Sequence, residues 1–432
     1  MYNRLLWYYR QIIRKATAVL PRRMRFAVFR NLIKCDVSPP DKLVLKVAET
    51  QEELEDCFSL LHDAYVRAGF MKPDPSGMRA TIYHALPTTT TLLAKYGDRI
   101  VGTISMIRDS PLGFPMQKIF NIEKIRKAGG NIAEVSALAI ERRFQAKGGI
   151  ILFPLMKFMY EYSTKCFDTR HLVIAVNPRH IGFYESILFF KRLKQNPVEH
   201  YDFVNGAPAV GAHLDLLSAP ENMKRHYDNK EPAKNLYNYF INLRMPNIIY
   251  PDKRFYTTND PVMTPELLDY FFNKRTQVFT KLSDDQKRRF HEIYDLTAYQ
   301  TVLPPLPPGG EKDLSRPARH QRFSVICPAE LVIDGAPQRG SYKIQVIECS
   351  INGFRARSDR ALPLEAEGLA RIDLGRADHS NLRVRVLRKA HSNANTYVLK
   401  VEEPDLAWRK FVNALRKASI HSDLDDATRF LE

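Results

Sequence analysis

Apolar and polar positions divide the chain into strand-like and helix-like stretches. Residues 43–47 alternate with the two-residue period of a strand, and Thr50 then opens a capping-box pattern that predicts a helix. Residues 91–95 and 100–108 predict two strands joined by a turn at Gly97. The pattern therefore begins with a strand, a helix and a hairpin.

Further single elements follow, separated by glycine or proline. Residues 133–141 are rich in β-forming side chains, and a glycine pair then precedes an apolar helix that runs to residue 162. Residues 171–176 predict a strand and residues 181–188 a helix. We expect residues 43–218 to form one α+β domain.

The rest of the chain predicts a helical extension, a linker and a second domain. Residues 219–300 predict helices, two of them at 263–279 and 283–293. Residues 301–315 are rich in proline and glycine, which is typical of a linker. Six short β-rich runs and a final helix predict a small barrel over residues 316–420, with a tail at 421–432: 325–333, 343–347, 354–357, 369–373, 382–387 and 396–401, then 406–415.

Positive charge is concentrated in the first 42 residues. Nine Lys and Arg residues and no acidic residue lie within residues 1–35. Apolar residues at positions 5–20 recur with a helical period, and Pro21 separates them from a second short helix containing Phe29. A basic amphipathic helix of this kind lies on a membrane surface or packs on the following domain, and both interpretations stay open.

Composition narrows the class of protein. Of 432 residues, 44% are hydrophobic and 26% charged, as in ordinary globular domains. The 65 Lys and Arg against 48 Asp and Glu give a net charge of +17, which favours anionic partners. Acidic residues balance the basic ones in residues 219–300, so no nucleic-acid polymer is expected. Five widely spaced cysteines and the lack of a long apolar run favour a cytoplasmic protein without disulfides, zinc or a membrane span.

Three motifs occur in order after the hairpin: DSPLGFPM at residues 109–116, AEVSALAI at 133–140 and NPRHIGFY at 177–184. The order of elements resembles the GNAT acyltransferase fold. The motifs resemble the long-chain N-acyl amino acid synthases of the FeeM type, which are relatives of the acyl-homoserine-lactone synthases. The resemblance covers about residues 43–218.

This resemblance implies transfer of a fatty acyl group from the phosphopantetheine thioester of acyl carrier protein to an amino acid's amine. The reaction needs a base for the ammonium, a donor to the thioester oxygen and a proton for the leaving thiolate. By resemblance, Glu134 is the base and Tyr184 protonates the sulfur. A backbone N–H near Leu138 or Ala139 would meet the carbonyl oxygen. The alternatives are that Glu134 pairs with an arginine and that Tyr184 only packs against Phe183.

Two further sets of residues are expected to hold the substrates. Arg179 and His180 precede a helix and are candidates for the acceptor's carboxylate, with ordinary surface positions as the alternative. Residues 145–150, QAKGGI, differ from the Q/R-x-x-G-x-G/A phosphate loop of acetyltransferases because Ile150 replaces the last small residue. This departure favours acyl carrier protein, with its single phosphate, over coenzyme A; a solvated basic turn is the alternative. The donor-binding candidates are Arg142, Arg143, Gln145, Lys147, Gly148 and Gly149.

The C-terminal domain resembles the PilZ domain, which binds cyclic di-GMP. Residues 318–322, ARHQR, stand near the RxxxR motif, and residues 348–353, ECSING, near (D/N)xSxxG. Ala318 stands where the first arginine belongs, and a glutamate replaces the shorter Asp or Asn. A degenerate PilZ domain that docks on the enzyme or on another protein is the alternative. The residues implied to contact cyclic di-GMP are Arg319, Arg322, Glu348, Ser350 and Gly353.

Together these features predict a bacterial N-acyltransferase with a regulatory PilZ-like domain and an N-terminal arm near the inner membrane. It would transfer a long-chain fatty acyl group from acyl carrier protein to an amino acid, with no metal and no tightly bound cofactor. Apolar side chains of the helix after the glycine pair would form core or line an acyl channel. Three alternatives stay open: a CoA-dependent N-acyltransferase, a signal synthase of the acyl-homoserine-lactone kind, and a non-catalytic cyclic di-GMP receptor or scaffold.

Overall fold

The structure, a computed structural model, contains two large hydrophobic cores and a small third cluster of Leu61, Ala137 and Ala139. It describes residues 20–145, 149–167, 169–251, 263–294, 297–306, 323, 325, 327–335, 341–375, 378–389 and 395–417. One core is built from residues 35–303 and the other from residues 323–415. Among the described residues, no helix is both long and apolar enough to span a membrane.

An eight-stranded sheet forms the centre of the first core. Its order is β1-β2-β3-β4-β5-β8-β6, with β7 also paired to β8, and only β4 and β5 run parallel. The strands are β1 Leu43–Val47, β2 Thr89–Tyr96, β3 Arg99–Arg108, β4 Asn131–Ile140, β5 Thr169–Val176, β6 Lys191–Arg192, β7 Val198–Tyr201 and β8 Ala207–Asp215. The five strands predicted from the sequence are confirmed. Strands β6 to β8 were not predicted, because the alanine, proline and glycine of β8 give a weak strand signal.

Helices cover both faces of this sheet. Thr50 caps α2 by accepting a hydrogen bond from the Glu53 backbone at 3.2 Å, which confirms the predicted start. Helix α2 contacts β3 and β4, whereas α5 approaches β3 at Gly102, where an added Cβ would lie 2.8 Å from Ile151 Cγ2. The helices are α1 Arg22–Leu32, α2 Gln51–Ala68, α3 Glu123–Ala128, α4 Arg142–Gln145, α5 Leu152–Glu161 and α6 Ile181–Ile187.

The N-terminal arm is described from residue 20 onward. Helix α1 begins after Pro21 and confirms the second of the two predicted short helices; the first lies outside the described residues. Helix α1 packs on α6, where Arg22 forms an ion pair with buried Glu185 and Arg30 Nη1 donates to the Ser186 carbonyl at 3.2 Å. Helix α1 thus docks on the sheet domain, whereas the helix for which the two interpretations stayed open lies outside the described residues.

A helical extension follows the sheet. It contains α7 Ala219–Tyr227, α8 Pro265–Leu268, α9 Asp284–Ile293 and α10 Thr297–Gln300, with π-helical turns at Asn238–Asn242 and Asp269–Arg275; a further π-helical turn, Tyr162–Cys166, continues α5 within the sheet domain. The helix predicted over 263–279 is present but shorter: it is α-helical over Pro265–Leu268 and π-helical over Asp269–Arg275. Thr276 Oγ1 donates to the Phe271 carbonyl at 2.6 Å, and Gln277 takes a left-handed backbone conformation with φ +52°, so the helix ends there. The helix predicted over 283–293 is confirmed.

A closed six-stranded antiparallel barrel surrounds the second core. Its order is β10-β11-β14-β13-β12-β9, and a C-terminal helix places the fully buried Trp408 against it. The elements are β9 Cys327–Ile333, β10 Ser341–Ser350, β11 Gly353–Ser358, β12 Glu367–Gly375, β13 Asp378–Lys389, β14 Thr396–Glu403 and α11 Leu406–Lys417. This confirms the six-stranded barrel predicted from the sequence.

Candidate active site

The parallel strands β4 and β5 separate part-way along their length. They pair from Asn131 with Thr169 to Glu134 with Val173, and no pairing between them continues beyond Glu134. A cavity of about 920 Å³ lies between the separated ends, at the upper end of the size range of ligand pockets. Its walls include Val135 on β4 and Ile174 on β5, so the separation of the two strands creates the space.

Strand β4 also carries a β-bulge beside this cavity. Ser136 pairs with Ser105 and Ala139 with Thr103, so Ala137 and Leu138 both lie opposite one residue of β3. Ala137 adopts φ +54°, an uncommon value for a residue other than glycine. Leu138 lines the cavity, and Ala139 is buried next to it. The bulge turns the local backbone toward the space between β4 and β5.

Glu134 lies at the point where β4 and β5 separate. It is 2% exposed, and its Oε2 accepts a hydrogen bond from the Met116 backbone at 3.0 Å. The structure therefore gives Glu134 a backbone partner and not the arginine of the alternative interpretation. Burial, opposed only by this hydrogen bond, raises the pKa of Glu134 to about 8. The carboxyl group is thus able to exchange a proton near neutral pH.

Tyr184 lines the same cavity from helix α6. Its ring also packs edge-on against Phe183 and Phe190, with centroid distances of 5.5 and 5.7 Å. Burial, with a smaller contribution from Tyr65, raises the pKa of the Tyr184 phenol to about 12. The phenol therefore stays protonated at neutral pH, as a proton donor must, while the ring takes part in aromatic packing.

Arg179 and His180 are exposed at the start of α6. His180 and its neighbour Asn177 line the cavity, and the Arg179 backbone N–H donates to Asn177 Oδ1 at 3.1 Å. Arg179 is not one of the cavity-lining residues. The structure thus brings one of these two candidates to the cavity wall.

The expected donor-binding residues lie near the other end of β4. Gln145 Nε2 donates to the Ile140 carbonyl at 2.8 Å, and Gln145 and Gly149 both line the cavity. Gly149 has φ +87°, and an added Cβ would lie 2.6 Å from the Phe153 ring, so this position requires glycine. Arg142 and Arg143 are exposed, and Lys147 and Gly148 lie outside the described residues.

Apolar side chains from two helices complete the cavity. Leu152 and Phe153 of α5 line it, together with Phe29 and Leu32 of α1 and the adjoining Ile33. Part of the apolar helix after the glycine pair therefore faces open space, whereas its other apolar residues are buried in the core: Ile151, Leu155 and Met159.

Four polar residues were not predicted as site residues: Tyr65, Tyr83 and Tyr201, on which the charge of Glu134 acts, and Arg79, which contacts Tyr65. Burial is the main reason why the pKa values of all three phenols are raised, and the charge of Glu134 raises them further. The pKa of Tyr83 reaches about 12. Tyr65 and Tyr201 line the cavity. No sequence motif contains these residues, because they come from α2, from the loop before β2 and from β7, and only the fold brings them together.

The barrel places three of the expected nucleotide-binding residues close together. Glu348 forms an ion pair with Arg355 at 2.9 Å, and Ser350 Oγ donates to the Gly353 carbonyl at 3.0 Å. An added Cβ on Gly353 would lie 2.7 Å from the Leu399 carbonyl oxygen. Arg319 and Arg322 lie outside the described residues. In the part of the chain that the structure describes, no group of three or more His, Cys, Asp or Glu residues could hold a metal ion.

The hairpin, the bulged β4 and its separation from a parallel β5 define a GNAT-like acyltransferase fold. The family model of the N-acyl amino acid synthase FeeM matches residues 56–215, which is less than half of the 432-residue chain. Over this stretch the chain is similar to the N-acyl amino acid synthase FeeM. No curated protein matches the chain.

Several solved structures are similar to this domain. The N-acyl amino acid synthase FeeM from uncultured soil microbes is 24% identical, over 41% of this chain and 93% of that one, with a TM-score of 0.36. The CoA-dependent acyl-homoserine lactone synthase BjaI is 17% identical over 48% and 93%, with a TM-score of 0.34. An acetyltransferase of the GNAT family from Streptococcus pneumoniae is 15% identical over 40% and 99%, with a TM-score of 0.30.

Proposed function

We propose that the chain transfers a long-chain fatty acyl group from acyl carrier protein to the amine of an amino acid. The observation that carries the proposal is the carboxyl group of Glu134, which has a pKa of about 8 and lies where β4 and β5 separate beside a largely apolar cavity. A base with a pKa near the working pH suits the removal of a proton from an ammonium group. An apolar cavity of about 920 Å³ suits a long acyl chain.

In the proposed mechanism, Glu134 takes a proton from the acceptor's ammonium, directly or through water. The free amine then attacks the thioester carbonyl carbon and forms the new C–N bond. A backbone N–H of the bulge, at Leu138 or Ala139, stabilises the oxyanion of the tetrahedral intermediate. The C–S bond breaks, and Tyr184 gives its proton to the departing thiolate. The acceptor nitrogen loses its remaining extra proton, through water, to the Tyr184 phenolate, which gives the neutral amide and restores the phenol; Glu134 then releases the proton it took to the solvent.

The donor would enter beside Gln145 and Gly149. A carrier protein offers a single phosphate, so Arg142, Arg143 and Lys147 would meet that phosphate and the acidic surface of the carrier. The acyl chain would extend from there into the apolar part of the cavity. In this proposal residues 43–218 form the catalytic domain and residues 219–300 its helical extension.

We further propose that residues 316–420 form a PilZ-like regulatory domain and that residues 1–42 bring the enzyme to the inner membrane. The closed barrel and the grouping of Glu348, Ser350 and Gly353 support the first assignment. The excess of basic residues in the arm supports the second, because anionic lipids attract such segments. Cyclic di-GMP would be the effector that the barrel senses.

The test is an acyl-transfer assay with the full chain. Palmitoyl-acyl carrier protein or palmitoyl-CoA is incubated with all twenty amino acids, with and without cyclic di-GMP, and products are identified by mass spectrometry. An N-palmitoyl amino acid from the carrier-protein donor alone is the expected result. Product from palmitoyl-CoA alone would overturn the donor assignment and favour a CoA-dependent enzyme. No product from either donor would overturn the catalytic assignment and favour a cyclic di-GMP receptor or scaffold.

A further inference from the structure

Arg79 is a half-buried cation beside the cavity that has no carboxylate partner among the described residues. Its Nη2 donates to the Phe203 carbonyl at 2.8 Å, and its guanidinium lies 4.2 Å above the Tyr65 ring and 5.2 Å above that of Phe203. Burial has the largest influence on its charge, followed by Tyr65, which also hydrogen-bonds the guanidinium, and by Tyr201; neither phenol supplies a negative charge at neutral pH. A desolvated cation of this kind favours an anionic ligand.

Tyr201 provides a second, independent observation. Its side chain is 3% exposed and lines the cavity, and the structure gives its hydroxyl group no hydrogen-bond partner among the described residues. A buried hydroxyl without a partner is costly for stability, so such groups are few in native proteins. The hydroxyl is therefore suited to hydrogen-bond a substrate.

Arg79 and Glu134 share two neighbours without pairing with each other. The Arg79 guanidinium lies 4.2 Å above the ring of Tyr65, and the charges of Arg79 and Glu134 both act on the phenols of Tyr65 and Tyr201. Glu134 accepts a hydrogen bond from the Met116 backbone, whereas Arg79 donates to the Phe203 carbonyl, to Met71 Sδ at 3.9 Å and to the Tyr65 side chain. The cavity-lining phenols of Tyr65 and Tyr201 thus feel both a carboxyl group and a cation that has no carboxylate partner among the described residues.

An α-amino acid has the complementary arrangement, because its ammonium and carboxylate groups are attached to one carbon. Glu134 is also distant from the donor-binding residues, since the stretch of β4 from Glu134 to Ile140 spans roughly 20 Å. The two substrates would therefore approach the bulge from opposite ends.

We propose that Arg79 and Tyr201 bind the α-carboxylate of the acceptor amino acid while Glu134 receives the proton of its ammonium. This inference rests on the proposed function and specifies its acceptor site. It assigns to Arg79 the task that the sequence alone suggested for Arg179 and His180. A primary amine without a carboxylate would then be a poor acceptor.

The first test compares amino acids with the amines that lack their carboxylate. L-Leucine, L-phenylalanine and L-tyrosine are paired with isopentylamine, phenethylamine and tyramine, both in calorimetric binding without donor and in the acyl-transfer assay. The full-length wild type is expected to prefer the amino acid of at least one pair by roughly 10–100-fold, the range for hydrogen bonds to a charged group. Arg79→Met should lose this preference, because the substitution weakens binding of the amino acid and leaves binding of the amine unchanged.

Tyr201→Phe keeps the test valid if Arg79→Met does not fold. This variant removes only the unpartnered hydroxyl, so its Tm should be unchanged or higher than that of the wild type. Its KM for the amino acid should nevertheless rise about tenfold. A purely structural tyrosine would leave this KM unchanged. Arg225→Met, which removes an exposed arginine of α7 that pairs with Glu221, is the matched control and should behave as the wild type.

Failure of this inference differs from failure of the proposed function. Loss of the carboxylate preference in Arg179→Met but not in Arg79→Met would overturn the inference while acyl transfer continued. Amino-acid binding that depends on Arg79, without product from any donor, would support the acceptor site and overturn the proposed function. Neither binding nor product in the wild type would overturn both.

Discussion

The backbone N–H of Met116 donates to Oε2 of Glu134 at 3.0 Å and joins two sequence motifs that are 18 residues apart. Met116 is completely buried in the short 3₁₀ helix Pro115–Lys118. This single hydrogen bond stabilises the ionised carboxylate less than burial destabilises it, so the pKa of Glu134 is raised to about 8. The motif at 109–116 thus holds Glu134 in place without making it a strong acid.

The pH dependence of catalysis follows from this environment. If Glu134 is the base, kcat/KM should rise as pH passes through about 8, where the carboxyl group loses its proton. Glu134→Gln should lower kcat by roughly 10²–10⁴-fold, the usual contribution of general base catalysis, and remove this rise. The measurement is initial acylation rate from pH 6 to pH 9.5. Glu123→Gln, an exposed glutamate of α3, is the control. If kcat/KM of Glu134→Gln still rises through pH 8, the rise belongs to the titration of another group.

The same carboxyl group should weaken the fold as pH rises. Below about pH 4.5 it is protonated in both the folded and unfolded chain and has no effect. Between about pH 4.5 and 8 only the unfolded chain loses the proton, so folding stability falls across this range. Each unit of pKa shift corresponds to about 1.4 kcal/mol, so the total loss amounts to several kcal/mol at most.

Glu134→Gln should remove this loss because the amide does not ionise. The free energy of unfolding of both proteins is measured by urea titration at pH 5 and pH 8. Relative to the wild type, the variant should be more stable at pH 8 than at pH 5. An equal difference between the two proteins at both pH values would contradict the raised pKa.

Local signals allowed much of the fold to be predicted from the sequence. Thr50 forms the expected cap, the turn at Gly97 joins β2 to β3, and Pro21 precedes α1, because each signal acts on its own neighbours. The helix expected over 263–279 forms from Pro265 to Arg275, but its π-helical second part was not predicted. Phe271 and Phe272 are buried among aromatic rings from several elements, and the backbone takes a π-helical path to place them there.

The residues of the candidate site also fall into those that a local sequence signal predicts and those that it does not. The resemblance of a motif led to Glu134, and the structure places it where the strands separate. Arg79 and Tyr201 belong to no motif, and their significance appears only when the fold brings them near Glu134. Sequence reasoning therefore finds residues within motifs, whereas a cation without a partner or a hydroxyl without a hydrogen bond is a property of three-dimensional packing.

Helix α1 and the segment after it should influence the length of acyl chain that the enzyme accepts. Ile33 lines the cavity, so Ile33→Trp would fill part of it, and overpacking of this kind costs about 1–3 kcal/mol. We expect kcat/KM for a palmitoyl donor to fall roughly tenfold relative to a decanoyl donor. Met24→Trp, an exposed position on α1, is the control and should leave this ratio unchanged. An equal loss with both donors would show that Ile33 does not border the acyl chain.

The barrel should depend on close backbone contact at Gly353. An added Cβ would lie 2.7 Å from the Leu399 carbonyl oxygen, and because this atom belongs to the backbone of β14, β11 and β14 must move apart to accept a methyl group. Gly353→Ala should destabilise the barrel by about 1–3 kcal/mol. Lys343→Ala, an exposed position on β10, is the control.

Amide hydrogen exchange of the full chain shows which strands Gly353→Ala destabilises. Exchange in β11 and β14 should accelerate in Gly353→Ala, while exchange in β2 to β5 should stay as in wild type, because the two hydrophobic cores share no residues. If the barrel senses cyclic di-GMP, the same variant should lose any effect of the nucleotide on acyl transfer while keeping the basal rate. Faster exchange in both cores would instead show that the barrel and the acyltransferase domain unfold as one unit.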